Sequence, residues 1–159
     1  MQIVSQSSRQ PMRRVKIRKL RAEDLAELAE LYKQFWAQDS NLEKMREKYK
    51  EIETDPKHIV LCATVDGVVV GSIMGIICEE LYGECRPFLV VEDLIVDEHC
   101  RRKGIGKDLM GELIAYARQQ GCGQVQFISE ANRKGAIAFY RTQGYDPNLH
   151  VGFKKSLQA

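Results

Sequence analysis

Glu92 and Asp93 sit side by side in the run Phe88–Val96, F-L-V-V-E-D-L-I-V, which is otherwise apolar. A carboxylate in such a run is costly to bury unless it has a partner or a proton to move. Each can therefore serve as a general base or as half of an ion pair with an arginine. Alternation along a strand sends neighbours to opposite faces, so only one of the two is expected to meet a substrate. A little further on, Arg101-Arg102-Lys103-Gly104-Ile105-Gly106 combines three cations with two glycines. Glycines lack a Cβ, so the backbone N–H groups there can turn toward a ligand. The unpaired N–H groups and dipole of a following helix favour negative charge. That is the chemistry of an anion cradle able to seat a pyrophosphate. The plainer reading of the same pair is a turn and a helix start.

The elements that must position these groups follow from periodicity. Val15–Leu20 alternates as an opening strand, and Leu25, Leu28, Leu31, Tyr32 and Phe35 recur at helical spacing behind acidic residues that favour a helix start. Gln38–Asn41 interrupts the pattern. A second helix, Leu42 to about Glu53, is mostly charged, with a narrow stripe of Leu42, Met45, Tyr49 and Ile52 that reads as a surface helix. Ile59–Val65 and Val68–Cys78 flank Asp66-Gly67, a strong two-residue hairpin signal. Gly71 and Gly75 inside the second of these strands suggest close packing or a bulge. Glu79–Pro87 is an acidic loop. Phe88–Val96 is a buried strand, and the helix after the cradle carries Ile105, Leu109, Leu113 and Ala117 on one face. Gln124–Ile128 is then a strand reached by a parallel crossover. Lys134–Thr142 is a short helix ended by Gly144, and Val151–Ser156 a closing strand.

The run Arg101–Gly106 after a strand ending Leu94-Ile95-Val96 resembles the R/Q-x-x-G-x-G/A acetyl-CoA loop of the GNAT superfamily, the GCN5-related N-acetyltransferases. Asn132 and Ala138-Phe139-Tyr140-Arg141-Thr142-Gln143-Gly144-Tyr145 are similar to the asparagine and the F-Y-x-x-x-G-[FY] segment of that superfamily. Many members have Pro where Glu98 stands and Gly where Arg102 stands, departures that remove no backbone donor from the helix entrance. The resemblance implies a single α/β domain of the GNAT fold, a mixed twisted β-sheet with helices on both faces. It implies acetyl transfer from the cosubstrate acetyl-CoA to an amine by direct attack. Cofactor contacts are implied at Leu94, Ile95, Val96, Arg101, Arg102, Lys103, Gly104, Ile105, Gly106, Lys107, Asn132 and Tyr140. The central strand is implied to carry a bulge and to splay from its parallel neighbour. Glu92 matches the position of a catalytic glutamate and comes first as base, acting directly or through water, with Asp93 second. Tyr140 matches the tyrosine that protonates the leaving thiolate; its plainer reading is a core aromatic beside Phe139. The stretch joining the first two helices commonly lines the acceptor pocket in the family. Similarity to aminoalkylphosphonate and aminoglycoside acetyltransferases points to a small-molecule amine. A protein or peptide acceptor, or a module that binds acetyl-CoA without turnover, are the alternatives.

The chain of 159 residues is the size of one domain, with a flexible start over residues 1–12 and the acetyltransferase domain over 13–159, and Met12 is an alternative start. A net charge of +2, spread along the chain, makes no case for nucleic acid. No apolar run approaches the roughly 20 residues that cross a bilayer, and the polar first residues lack a secretory core, so a cytoplasmic protein is expected. Five cysteines without a C-x-x-C pair read as reduced thiols and not as a metal site, with Cys100 and Cys122 the ones placed to meet thiol reagents. His58, His99 and His150 are isolated from one another, and only His150 lies where a loop can reach an acceptor. Homodimers are common in the family, and these residues do not decide the point.

Overall fold

The computed structural model describes residues 14–157, so the expected flexible start lies outside the described residues. Five strands form one sheet in the order β1 (Val15–Lys19), β2 (His58–Val65), β3 (Val68–Cys78), β4 (Phe88–Val96) and β5 (Gln124–Gln126). The first four are antiparallel neighbours, and β5 runs parallel to β4. The Asp66-Gly67 signal is realised as a two-residue hairpin with both φ angles positive, +52° and +86°. This is the type I′ geometry that suits the twist of the flanking strands.

One face of the sheet carries α3 (Ile105–Gln119), which buries Ile105, Leu109, Met110, Leu113 and Ala117 against Leu61, Ile73, Leu89 and Val91. The four positions expected on this face are there, with Met110 in addition. The helix can approach so closely because β3 has glycines beneath it. A Cβ on Gly75 would come within 2.6 Å of Leu113 Cδ1, and one on Gly71 within 3.1 Å of the Ile95 carbonyl. The opposite face carries α1 (Leu25–Trp36), whose Leu25, Leu28 and Leu31 pack with Leu20, Cys62, Val69 and Ile95. Glu27 Oε2 accepts the Val69 N–H at 2.6 Å and so fastens α1 to β3. At the base of this face Asp24, 5% exposed, accepts both ends of the Arg18 guanidinium, at 2.6 and 2.9 Å, together with the Arg21 N–H.

Helix α2 (Leu42–Thr54) starts at Asn41, whose side chain accepts the Lys44 N–H at 3.0 Å. None of its residues is fully buried, in keeping with a surface helix, yet Leu42, Met45 and Tyr49 pack on the α1 cluster and the Tyr49 hydroxyl donates to the Leu20 carbonyl. Helix α4 (Lys134–Thr142) closes with Gly144 at φ +89° and a Tyr145 N–H to Tyr140 carbonyl bond.

The closing strand expected over Val151–Ser156 is absent. The segment is irregular, with Val151 79% and Phe153 90% exposed. A strand needs an edge to bond, and β5 leaves the ladder after Gln126, so Phe127 and Ile128 offer no regular edge. Among the described residues no helix is long and apolar enough to cross a membrane.

Candidate active site

The site is built on an irregularity in β4. Glu92 lies opposite Met74 and Ile95 opposite Ser72, so Asp93 and Leu94 together face the single residue Ile73. This is a β-bulge, and Asp93 adopts φ +53° to form it. A non-glycine residue in that region stores about 1–3 kcal/mol of strain, which the surrounding sheet must hold. The bulge also changes which way the carboxylates point. Glu92 shares a face with its partner Met74, and Met74 and Asp93 line the same cavity. The expected separation of neighbours onto opposite faces therefore fails here, because the extra residue breaks the alternation.

The two carboxylates differ in environment. Glu92 is exposed, whereas Asp93 is half-buried beside Tyr32. Burial, and then the nearby Glu92 charge, push the Asp93 carboxyl above the usual range, partly opposed by the Tyr32 hydroxyl donating toward it. The same burial raises the Tyr32 phenol. The cavity above Asp93 has a volume of about 550 Å³ and is walled by α1, by α2 and by the Gln38–Asn41 link between them. Tyr32, Trp36, Lys44 and Met74 belong to it, and sequence reasoning assigned none of them to a site. The signals for this cavity are the implied place of the helix link at an acceptor pocket and the Tyr32, Phe35, Trp36 aromatic group at the end of α1, whose rings stack edge to face.

The other edge of β4 is open. Its parallel pairing with β5 covers only Phe88–Val90 against Gln124–Gln126. From Val91 to Val96 the strand has no ladder partner on that side among the described residues, in keeping with the splay implied for the central strand. Leu94 and Val96 pack toward the α3 side and Ile95 toward α1. The Val96 carbonyl accepts from Arg101 Nε at 3.0 Å, and Lys103 Nζ donates to the His99 carbonyl at 2.9 Å, so two of the three cations are tied to their own loop. The loop is held below by Asp97, which accepts Gln34 Nε2 and the His99 N–H. Burial works to raise its carboxyl, but these two bonds hold it below the usual range.

Helix α3 begins at Gly104, with φ +85° and no side-chain cap. Arg102 also has positive φ, +58°. The glycine that many related loops carry at that position would adopt this conformation freely, and Arg102 adopts it at a cost of roughly 1–2 kcal/mol. Lys107 is exposed in the first turn of the helix.

Tyr140, half-buried on α4, stacks with Phe127, Phe139 and Tyr145 at centroid distances of 4.5, 5.2 and 6.2 Å. Burial raises its phenol pKa, and the Arg133 charge pulls it back in part. Arg133 lies 4.3 Å over the Phe35 ring, joining the loop before α4 to α1. Asn132 is exposed and its carbonyl accepts the Lys134 N–H. His150 is exposed and outside the cavity, and His58 is engaged by Asp55 at 2.7 Å. Cys62 is buried, its thiol pushed up to about 11 by desolvation, and Cys100 and Cys122 are half-buried; Cys85 is the exposed thiol.

A model of the acetyltransferase (GNAT) family matches residues 25–145, most of the chain and all of these site elements. The chain belongs to the GNAT family of acetyltransferases. An uncharacterised N-acetyltransferase of Bacillus subtilis, YhfO, is 26% identical over 138 residues, covering 82% of this chain and 89% of that protein. Among solved structures, a putative acetyltransferase from Agrobacterium tumefaciens superposes with a TM-score of 0.82 at 23% identity, covering 89% of this chain and 99% of that one. An aminoglycoside N-acetyltransferase solved in complex with CoA gives a TM-score of 0.76 at 19% identity, covering 91% and 96%. These structural likenesses establish the fold.

Membership of the GNAT family implies use of an acyl-CoA, and the residues present fit one. The first turn of α3 presents N–H groups without a side-chain cap. At Gly104 a Cβ would have only Asp108 Oδ2 near it, at 3.9 Å, so the helix entrance is open. The bare edge of β4 adds unpaired backbone groups beside that entrance.

Proposed function

We propose that the protein transfers the acetyl group of acetyl-CoA to a primary amine of a small molecule by direct attack, without an acyl-enzyme. The observation that carries this reading is the bulge at Asp93 in a strand whose parallel partner stops at Gln126. It gives one strand a carboxylate on the cavity side and bare backbone on the other.

In this reading the backbone of Leu94, Ile95 and Val96 holds the acyl and pantetheine arm. The N–H groups of Gly104, Ile105, Gly106 and Lys107, with the charges of Arg101, Arg102 and Lys103, hold the pyrophosphate. Asn132 and Tyr140 complete the cofactor side. Bound there, the cosubstrate supplies an acetyl group activated as a thioester. A β4 N–H freed by the bulge stabilises negative charge on the reacting oxygen, a contact worth about 3 kcal/mol in a dry site. Asp93 takes the proton of the incoming ammonium, since a carboxyl raised above its usual range is a better base near neutral pH. Glu92, exposed next to it, passes that proton to water and keeps the Asp93 carboxyl raised through its charge. Tyr140 gives a proton to the departing thiolate and regains one, through water, from the nitrogen as the amide forms.

Calorimetric titration with acetyl-CoA, followed by thiol release against a panel of amines, tests the reading. Binding in the micromolar range with release on one class of amine is expected. Absence of binding, or binding with no release on any amine, refutes it.

A further inference from the structure

The charges around the cavity are unevenly spent. Its walls are apolar or aromatic, with Leu28, Trp36, Met45, Tyr49 and Met74 among them. Four charged side chains border it: Asp39, Lys44, Lys48 and Asp93. Two are already neutralised, Asp39 by Lys33 Nζ at 2.8 Å and Lys48 by Glu51 Oε2 at 2.5 Å. Two remain. Asp93 stands half-buried at the bulge, and Lys44 is exposed in the first turn of α2, with no ion pair among the described residues. The cavity thus offers one carboxylate deep in its wall, one free ammonium at its rim, and apolar surface between them.

We propose that the acceptor is a primary amine with an aliphatic or aromatic body and an anionic group, such as a carboxylate, at the end remote from the amine. This rests on the acetyl-transfer reading above. The ammonium end meets Asp93, the body lies against Trp36, Tyr49 and Met74, and the anion meets Lys44. A volume of about 550 Å³ suits one such small molecule. A polycation such as an aminoglycoside finds Asp93 in the lining and Glu92 beside it, but sets its remaining cations against Lys44 and apolar walls, so the cavity suits it less than an amine with an anion at its far end. The acidic Glu79–Pro87 loop does not alter this balance, because none of its residues lines the cavity and Glu79 is held by Lys57 at 3.2 Å.

Trp36 is the single tryptophan of the chain and lines this cavity, so its emission reads acceptor binding whether or not transfer follows. The probes are para-(aminoethyl)benzoate, phenethylamine as the same body without the anion, and sisomicin as a polycation, each titrated into wild type and Lys44→Glu. Lys44 is exposed, and the phenethylamine titration doubles as a check that the variant is folded. The benzoate is expected to saturate the wild type at a concentration about tenfold below either competitor, the effect of one charge-assisted contact. Lys44→Glu should raise its half-saturation about tenfold while moving that of phenethylamine less than twofold. Equal half-saturation for the benzoate and phenethylamine, tighter binding of sisomicin, or an unchanged benzoate titration in Lys44→Glu overturns the proposal. Thiol release from acetyl-CoA, read in parallel, separates the two claims. The expected binding pattern without release refutes acetyl transfer and supports the assigned preference, whereas release with sisomicin as best substrate supports transfer and overturns the preference.

Discussion

Two glycines of the Arg101–Gly106 loop, two positions apart, should respond to the same substitution with opposite signs. Gly104 has φ +85°, and a Cβ there would meet nothing closer than 3.9 Å. Gly104→Ala is therefore a purely conformational change. The left-handed backbone costs an alanine roughly 1–2 kcal/mol, and the stiffer unfolded chain returns about 0.4–1, leaving a loss near 1 kcal/mol. Gly106 lies inside the first turn of α3, and its Cβ would sit 3.5 Å from Phe139 Cζ and 3.7 Å from Val96 Cγ2, ordinary contacts. Gly106→Ala should gain about 0.5–1 kcal/mol from helix preference. The separation, nearly 2 kcal/mol, corresponds to about 4–8 °C between the two melting temperatures for a domain of this size. Thermal and urea unfolding of the ligand-free variants measure it. Acetyl-CoA calorimetry then adds a second readout: Gly106→Ala should bind nearly as wild type, because its methyl would point at Phe139 and Val96, whereas the strained Gly104→Ala should bind more weakly. Shifts in the same direction, or a separation below about 0.5 kcal/mol, would refute the reasoning about Gly104.

The remaining predictions concern single side chains. Because the fold raises the Asp93 carboxyl, it favours the protonated form, so the cost of ionisation is absent below the unfolded value and grows as pH rises through the folded one. Asp93→Asn should therefore unfold at higher urea than wild type at pH 8 but not at pH 3.5, and should lose about 100-fold in transfer rate. Tyr140→Phe should lower the rate with cofactor affinity nearly intact; an unchanged rate returns Tyr140 to the aromatic core. Asp24 has the opposite sign, held low by the Arg18 hydrogen bonds, so its contribution is present above pH 3.8 and fades as pH falls below it. Asp24→Asn should cost about 2–4 kcal/mol at pH 7, discounted for the partial exposure of Arg18, and the gap from wild type should narrow toward pH 3.

Much of this architecture could be read from local pattern. Asp66-Gly67 specifies its turn because both residues tolerate positive φ, and the Ile105, Leu109, Leu113 stripe specifies α3 because a helix repeats within a few residues. The bulge at Asp93 is different in kind. It exists only relative to Ile73 on the neighbouring strand, so nothing in F-L-V-V-E-D-L-I-V announces it, and its presence on the central strand came from family resemblance. Without the bulge in hand, alternation places Glu92 and Asp93 on opposite faces, and the sheet shows otherwise. Lys44 and Trp36 are illegible in the sequence for a related reason: each is ordinary on its own helix and becomes part of a cavity only when α1 and α2 meet over β4. Val151–Ser156 has residues that suit a strand but lacks an edge to join. Arg102 shows the reverse, a departure from the family pattern visible in the sequence whose backbone cost emerges only from its φ of +58°.

The order of the strands in the sheet is also their order in the chain. The β2 to β3 and β3 to β4 pairings join consecutive strands through short connections, which carry a small entropic cost, whereas β1 and β2 pair across the whole of α1 and α2. The β4 to β5 pairing likewise waits for the whole of α3 to cross the sheet. The wall proposed for the acceptor, with α1 and α2 packed on β2 to β4, is thus closed by the β1 to β2 ladder, which runs over all five residues of β1. The proposed cofactor side rests on the β4 to β5 closure, held in register by only three residues of β5. Of these two long-range closures the shorter ladder is the more easily loosened, so fraying is expected to reach the proposed cofactor side before the cavity under α1 and α2.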